Sequence, residues 1–238
     1  MSCLPILAFS QTQFTGWVAA FNTFKLNKDL SIHFDAQVRG TDQVQQIQSI
    51  LLRPGLNWHT GKRTILTTGY AYVQNRRTIS GISGLAPEHR IWQQFIYNHP
   101  LTIGSGAAAR KGSFQHRLRL EQRFISKSFA DGHELTHDGN VYANRIRYFF
   151  RNVTPIVPWS ATGTGPFLGL QNELFINFGD KSVVNGETFD QNRAYAALGY
   201  RLHTRFDAEI GYMNQYVNGR NKAFTNNHIL QLAAYVRL

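Results

Sequence analysis

The chain has 238 residues, a formal charge of +11, a pI near 10, 42% hydrophobic and 16% charged residues. That is too apolar for a disordered polymer, and no apolar run approaches the roughly 20 residues a spanning helix needs. A basic balance in a soluble protein points to nucleic acid, but here the arginines form no run or helical stripe, so nucleic acid is not an expected partner.

Cys3 is the single cysteine, which excludes a disulfide framework or a cysteine-based zinc site within one chain. Leu4 to Ser10 reads as the end of a signal-peptide apolar region, with Ala8-Phe9-Ser10 as a small-x-small cleavage site before Gln11. Residues 1–10 are therefore expected to be a signal remnant and 11–238 one β-domain, with no linker, low-complexity run or fixed-period repeat inside it.

From there period-2 alternation recurs. A strand is expected over about 14–24. The next, 30–39, sets Leu30, Ile32, Phe34, Ala36 and Val38 against Ser31, His33, Asp35, Gln37 and Arg39. Strands follow over 47–58, 64–75 and 88–99. The sixth, 114–124, puts Arg117, Arg119, Glu121 and Arg123 on one face and Phe114, Leu118 and Leu120 on the other. After 141–151, 167–177 and 190–202, the tenth sets Phe206, Ala208, Ile210 and Tyr212 against Asp207, Glu209, Gly211 and Met213. The last, 227–238, carries Leu230, Leu232, Ala234, Val236 and Leu238 on one face.

These strands are about twice the common globular length of about 5 to 6 residues and match the about 9 to 11 tilted residues that cross a bilayer. Alternation alone also fits a lipocalin-like barrel with its apolar face inward. Strand length, the signal-like start and a terminal strand suited to closing a barrel favour an outer-membrane barrel. Trp17, Trp58, Tyr72, Tyr97, Tyr142, Tyr200, Tyr212 and Tyr216 would then form interfacial girdles. Eleven strands can be counted, but single-chain bacterial barrels have even numbers, so about twelve are expected, with ten as the alternative. Segments 102–112 and 152–165 are where a missed strand could lie. Residues 40–46, 76–87, 126–140, 178–189 and 217–226 are expected to be long outer loops opposite short periplasmic turns.

Several segments resemble an uncharacterised family of Gram-negative outer-membrane proteins, a domain of unknown function. They are Leu52-Arg53-Pro54-Gly55-Leu56, Glu88-His89-Arg90-Ile91-Trp92-Gln93-Gln94, His116 to Arg123, Asn144-Arg145-Ile146-Arg147-Tyr148, Asp190-Gln191-Asn192-Arg193 and Gly211 to Tyr216. The resemblance implies an outer-membrane barrel and no established activity. The terminal Leu238 departs from the Phe usual in such barrels.

By alternation Arg39, Arg90, Arg117, Arg119, Glu121, Arg123, Arg145, Arg147, Glu173, Arg193 and Gln215 should face the lumen and form a constriction. Arginine rings attract anions, and the guanidinium fork fits carboxylate or phosphate. The competing expectation is an Arg/Glu lattice that fills a narrow barrel. His133-Glu134-Leu135-Thr136-His137 matches the H-E-x-x-H zinc pattern, but in a short polar loop rather than a helix, so no metal or cofactor is expected. A lipase would need a serine near a histidine at the outer end; Ser113 starts its strand at the opposite end, and Ser126, Ser128 and Ser182 are loop residues with no paired histidine in the strand pattern, so the chain is not expected to be an enzyme.

The expected function is thus a narrow outer-membrane pore for small anionic solutes. The alternatives are a structural or interaction barrel acting through its outer loops or within an envelope complex and, more remotely, an outer-membrane lipase. Expected partners are outer-membrane lipid, the barrel-assembly machinery during insertion, and an envelope protein.

Overall fold

The computed structural model describes residues 10–238; the signal remnant proposed for residues 1–10 lies almost wholly outside them. Eleven strands follow one another around a closed barrel: β1 (Ser10–Lys25), β2 (Leu30–Gly40), β3 (Ile47–His59), β4 (Thr64–Ile79), β5 (Ile82–Ile103), β6 (Arg110–Asp131), β7 (Glu134–Pro155), β8 (Gly165–Phe178), β9 (Phe189–His203), β10 (Phe206–Asn218) and β11 (Phe224–Arg237). Among the described residues no helix is long and apolar enough to cross a membrane.

The expectation of twelve strands is corrected to eleven. Segments 104–109 and 156–164 are connections, the first with a 3-10 turn at Gly106–Ala108, and neither adds a wall strand. Each strand runs antiparallel to the next, so an odd count makes the first and last run the same way. Accordingly β1 pairs β11 in parallel, from Ser10↔Phe224 to Thr23↔Arg237. Parallel pairing satisfies the edges as completely as the antiparallel closure of an even barrel.

The long outer loops are also corrected. At the end where β1 begins, here the upper end, β4 and β5 continue to a two-residue turn, Ser80–Gly81, with φ of 51° and 81°. Both residues with positive φ suit the right-handed twist of a tight hairpin. β6 and β7 likewise run on to Gly132–His133. The polar residues Arg76 to Thr78 read as loop in the sequence, yet they stay in register with Ser83 to Leu85. Connections of similar length close both ends, and β5, β6 and β7, at 22 residues each, form the tallest part of the wall.

The faces separate as alternation predicts. Leu52, Leu118, Leu198, Ile210, Leu230 and Leu232 point outward and are exposed, while Asp35, Arg53, Glu88, Arg119, Glu121, Glu173 and Glu209 point inward and are buried. One expected girdle residue is misplaced: Trp17 faces the lumen and is 7% exposed, whereas Trp58, Tyr142, Tyr200 and Tyr212 do face outward.

β2 stops at Gly40, leaving the upper part of β1 without that neighbour, since their pairing spans Trp17↔Arg39 to Lys25↔Ser31. The β2–β3 connection covers it: the Phe14 amide donates to Asp42 Oδ1 at 2.8 Å and the Thr15 hydroxyl donates to the Gly40 carbonyl at 2.6 Å. Val44 lies against Gly16 and Gly40.

Parallel closure sets Ala19 opposite Ala233, both buried. In a Cys3→Ser background, the pair Ala19→Cys and Ala233→Cys should oxidise to a disulfide, because neighbouring strands lie about 4.8 Å apart. A folded barrel that fails to crosslink, scored by gel mobility, would contradict this closure.

Candidate functional site in the barrel lumen

Strand pleating turns the charged positions inward, and closure brings strands distant in sequence across from one another. The result is a connected ion-pair lattice. Glu88 accepts from Arg90 at 2.7 Å and from Arg123 at 2.6 Å. Glu121, from the neighbouring strand, accepts from Arg145 at 2.7 Å and Arg147 at 2.6 Å. Arg145 reaches on to Asp190 at 2.8 Å, and Arg147 reaches Glu173 at 2.7 Å, which also takes Arg117 at 2.7 Å. Separate pairs stand lower down: Arg53 with Asp35 at 2.5 Å, Arg151 with Glu209 at 2.5 Å, and Asp207 between Arg201 and Arg237. Tyr195 and Tyr235 donate to the free oxygen of Glu209 at 3.1 and 2.8 Å. Each of these carboxylates thus has at least one guanidinium partner, and pairing is the condition under which buried charge is tolerated.

Aromatic rings hold the guanidinium planes. Arg145, Arg147 and Arg193 all lie over Phe175, at 5.0, 4.5 and 4.7 Å from the ring centre. Trp92 is fully buried and supports Arg119 at 4.6 Å. It fits only because Gly55 and Gly69 lack side chains; a Cβ there would come within 2.7 and 2.5 Å of the indole. Arg119, itself fully buried, donates to Gln94 Oε1 at 2.7 and 3.0 Å. From Gln94 a chain of donors runs to Thr67 at 3.1 Å, Asn57 at 2.7 Å and Ser31 at 3.0 Å, where Ser31 Oγ meets His59 Nε2 at 2.8 Å.

Two cavities of about 590 Å³ each remain, one toward each end. Trp17, Arg39, Arg147 and Arg193 line both, so these four side chains form the septum between them. Lys25, Lys28, Arg205 and Arg237 ring the lower mouth, and Arg76 and Arg77 stand in the upper cavity.

All eleven residues expected at a constriction face inward, but they divide into three groups. Arg90, Arg117, Glu121, Arg123, Arg145, Arg147 and Glu173 belong to the lattice. Arg119 is sealed behind Trp92 and Gln94 and lines neither cavity. Arg39 and Arg193, with Gln215 nearby, stand at the septum. Sequence reasoning missed Trp17 as the septum ring, because a tryptophan in a strand carries no sign of which face it occupies in the lumen. It also missed two serine–histidine contacts: Ser31 with His59, and Ser128 with His137 at 3.0 Å, a correction to the reading of Ser128 as unpartnered. Ser31 is 1% exposed and Ser128 sits on the upper hairpin of β6 and β7. The H-E-x-x-H residues fall on that hairpin too: His133 is in the turn and His137 is in β7. A turn followed by a strand lacks the helical turn by which that pattern brings two histidines to one metal. Arg145 stands between Glu121 and Asp190, so these carboxylates cannot share a proton as an aspartyl pair would.

Residues 14–226 match the model of a family described as "Protein of unknown function (DUF2490)". The chain belongs to this family. It is also similar to an uncharacterized protein of Methylorubrum extorquens, 26% identical over 210 residues that cover 88% of this chain and 81% of that one. No solved structure matches.

In this DUF2490 chain the lattice and the septum should respond differently to loss of charge. Glu121→Gln takes from Arg145 and Arg147 one of the two carboxylates that each contacts, and should lower unfolding stability by about 3 kcal/mol. Arg39→Gln removes a cation that has no carboxylate partner and should change stability by less than about 1 kcal/mol. Urea unfolding of the two variants tests the contrast; equal losses would refute the division.

Proposed function

We propose that the chain is an integral outer-membrane β-barrel whose basic lumen passes small anionic solutes. The observation that carries the membrane setting is the inverted distribution of side chains. A continuous outer face of Leu, Ile, Val, Phe and Tyr surrounds an interior of paired charges. A soluble protein rarely exposes an apolar patch beyond a few hundred Å², whereas lipid favours such a band, and closure leaves no unpaired strand edge in it. The partners that go with this reading are outer-membrane lipid and the barrel-assembly machinery.

Support for passage of anions comes from charge and space together. Arginines outnumber carboxylates in the lining of both cavities, the lower mouth is basic, and the two cavities approach each other until only the septum divides them. A basic lining raises the local concentration of anions and lowers that of cations. We assign the lumen no catalytic role.

A second reading has its own observation. The lattice running from Glu88 through Glu121 to Glu173 resembles the packed interior of a scaffold, and such a barrel would act through its ends, with an envelope protein as partner.

Single-channel recording in planar bilayers under a salt gradient separates the two readings. The pore reading expects stable conductance with an anion-selective reversal potential, and Arg39→Glu should shift that potential toward cations. Silence from a folded, heat-modifiable barrel would overturn the pore and favour the scaffold.

A further inference from the structure

Arg39 and Arg193 differ from the other luminal arginines in what holds them. Arg39 donates through Nη2 to Gln37 Oε1 at 2.7 Å, and its Nε is buried without a hydrogen-bond partner. Arg193, 8% exposed, is held by the amides of Gln191 and Gln215: its Nη2 donates to Gln191 Oε1 at 3.2 Å, and the Gln215 amide, turned to satisfy its neighbours, accepts from Arg193 Nε and Nη2 at 3.2 Å each. Its nearest carboxylate oxygen, Glu173 Oε2, is 3.9 Å away, while the other oxygen of Glu173 is taken by Arg117 and Arg147. Neutral amides therefore orient both guanidinium groups without cancelling their charge.

The same indole positions both. Arg39 lies 4.2 Å and Arg193 5.1 Å from the centre of a Trp17 ring, so both guanidinium groups stand against one indole. Two like charges this close repel, and the arrangement is favoured when an anion sits between or beside them. The groups also stand where solute could reach them, because both line the cavity on each side of the septum.

We propose that Arg39, Arg193 and Trp17 form a binding site for a small doubly charged oxyanion, such as phosphate or a short dicarboxylate, at the meeting point of the two cavities. The site rests on the reading of the lumen as an anion passage and names where the anion pauses. Two guanidinium forks match two anionic oxygens better than one, which selects a dianion over chloride. The Trp17 ring, in contact with both cations, senses occupancy.

The test is titration of the purified, folded barrel with inorganic phosphate and with succinate, against chloride, by calorimetry and by tryptophan emission. Saturable binding of the dianions near one per chain is expected. Arg39→Gln and Arg193→Gln should each weaken it about tenfold or more, the worth of a hydrogen bond to a charged group. Arg63→Gln, in the β3–β4 turn, should not change it. Trp17→Phe should abolish the phosphate-dependent change in emission even where binding heat persists, so a folding defect in the arginine variants leaves a second readout. No saturable binding by the unmodified chain, or binding unaffected by both arginine variants, overturns the site. Anion-selective conductance without binding would discard the site and keep the passage; binding in a barrel that does not conduct would do the reverse.

Discussion

A closed sheet sends every second side chain into a space that water enters only in part, and in this chain those side chains are mostly arginine and acid. The architecture depends on how that charge is settled. Glu121 is the centre of the settlement: through Arg90, Arg145 and Arg147 it links Glu88, Asp190 and Glu173 into one lattice that ties β5, β6, β7, β8 and β9 together across the lumen. Hydrophobic burial, which organises most folds from within, acts here on small clusters such as Trp17, Tyr195, Ala197, Met213 and Ile229. The larger apolar surface faces out.

Ring stacking explains why so many arginines fit. Phe175 carries three of them and Trp92 one, with glycine at 55 and 69 opening the wall for the indole. A guanidinium is weakly hydrated and planar, so it loses less on leaving water than an ammonium would, and it keeps its edge free for a carboxylate while its face rests on the ring. Lysine is absent from the lattice for that reason. Where no carboxylate comes within hydrogen-bond distance, the chain uses amides: Gln94 for Arg119, Gln37 for Arg39, Gln191 for Arg193. The first is sealed and ends a chain of hydrogen bonds; the other two face open space. Sealed and open arginines are therefore placed differently, one packed into the wall and the other two bordering the cavities.

Odd strand number has a geometric consequence beyond pairing. Because β1 and β11 run in the same direction, Ser10 and Arg237 lie at opposite ends of the barrel. The height of β5, β6 and β7, against the shorter β2 and β3, makes one side of the wall project past the other. The rim is correspondingly lowest beside β2, where the Asp42 carboxylate and Val44 cover the start of β1.

Alternation in the sequence alone determined the all-β class, most strand positions and which residues of each strand share the luminal face. That pattern is local: Ser31, His33, Asp35, Gln37 and Arg39 fall on one side of any extended strand. The match to strands was good where polar and apolar residues alternate strictly, as in β6, and poor where both faces are polar, as at Arg76 to Thr78, since the ladder there is held by backbone bonds that side-chain type does not report. Only the tertiary structure decided the strand count and its parallel closure, because these depend on whether residues some 200 positions apart, such as Ala19 and Ala233, come into register. It alone decided which cations are neutralised. Arg119 and Arg147 carry the same pattern in sequence, yet one is sealed against Gln94 and Trp92 and the other bridges Glu121 and Glu173. Contacts across a lumen are set by the curvature that brings Trp17 to Arg193, and periodicity along one strand holds no record of that curvature.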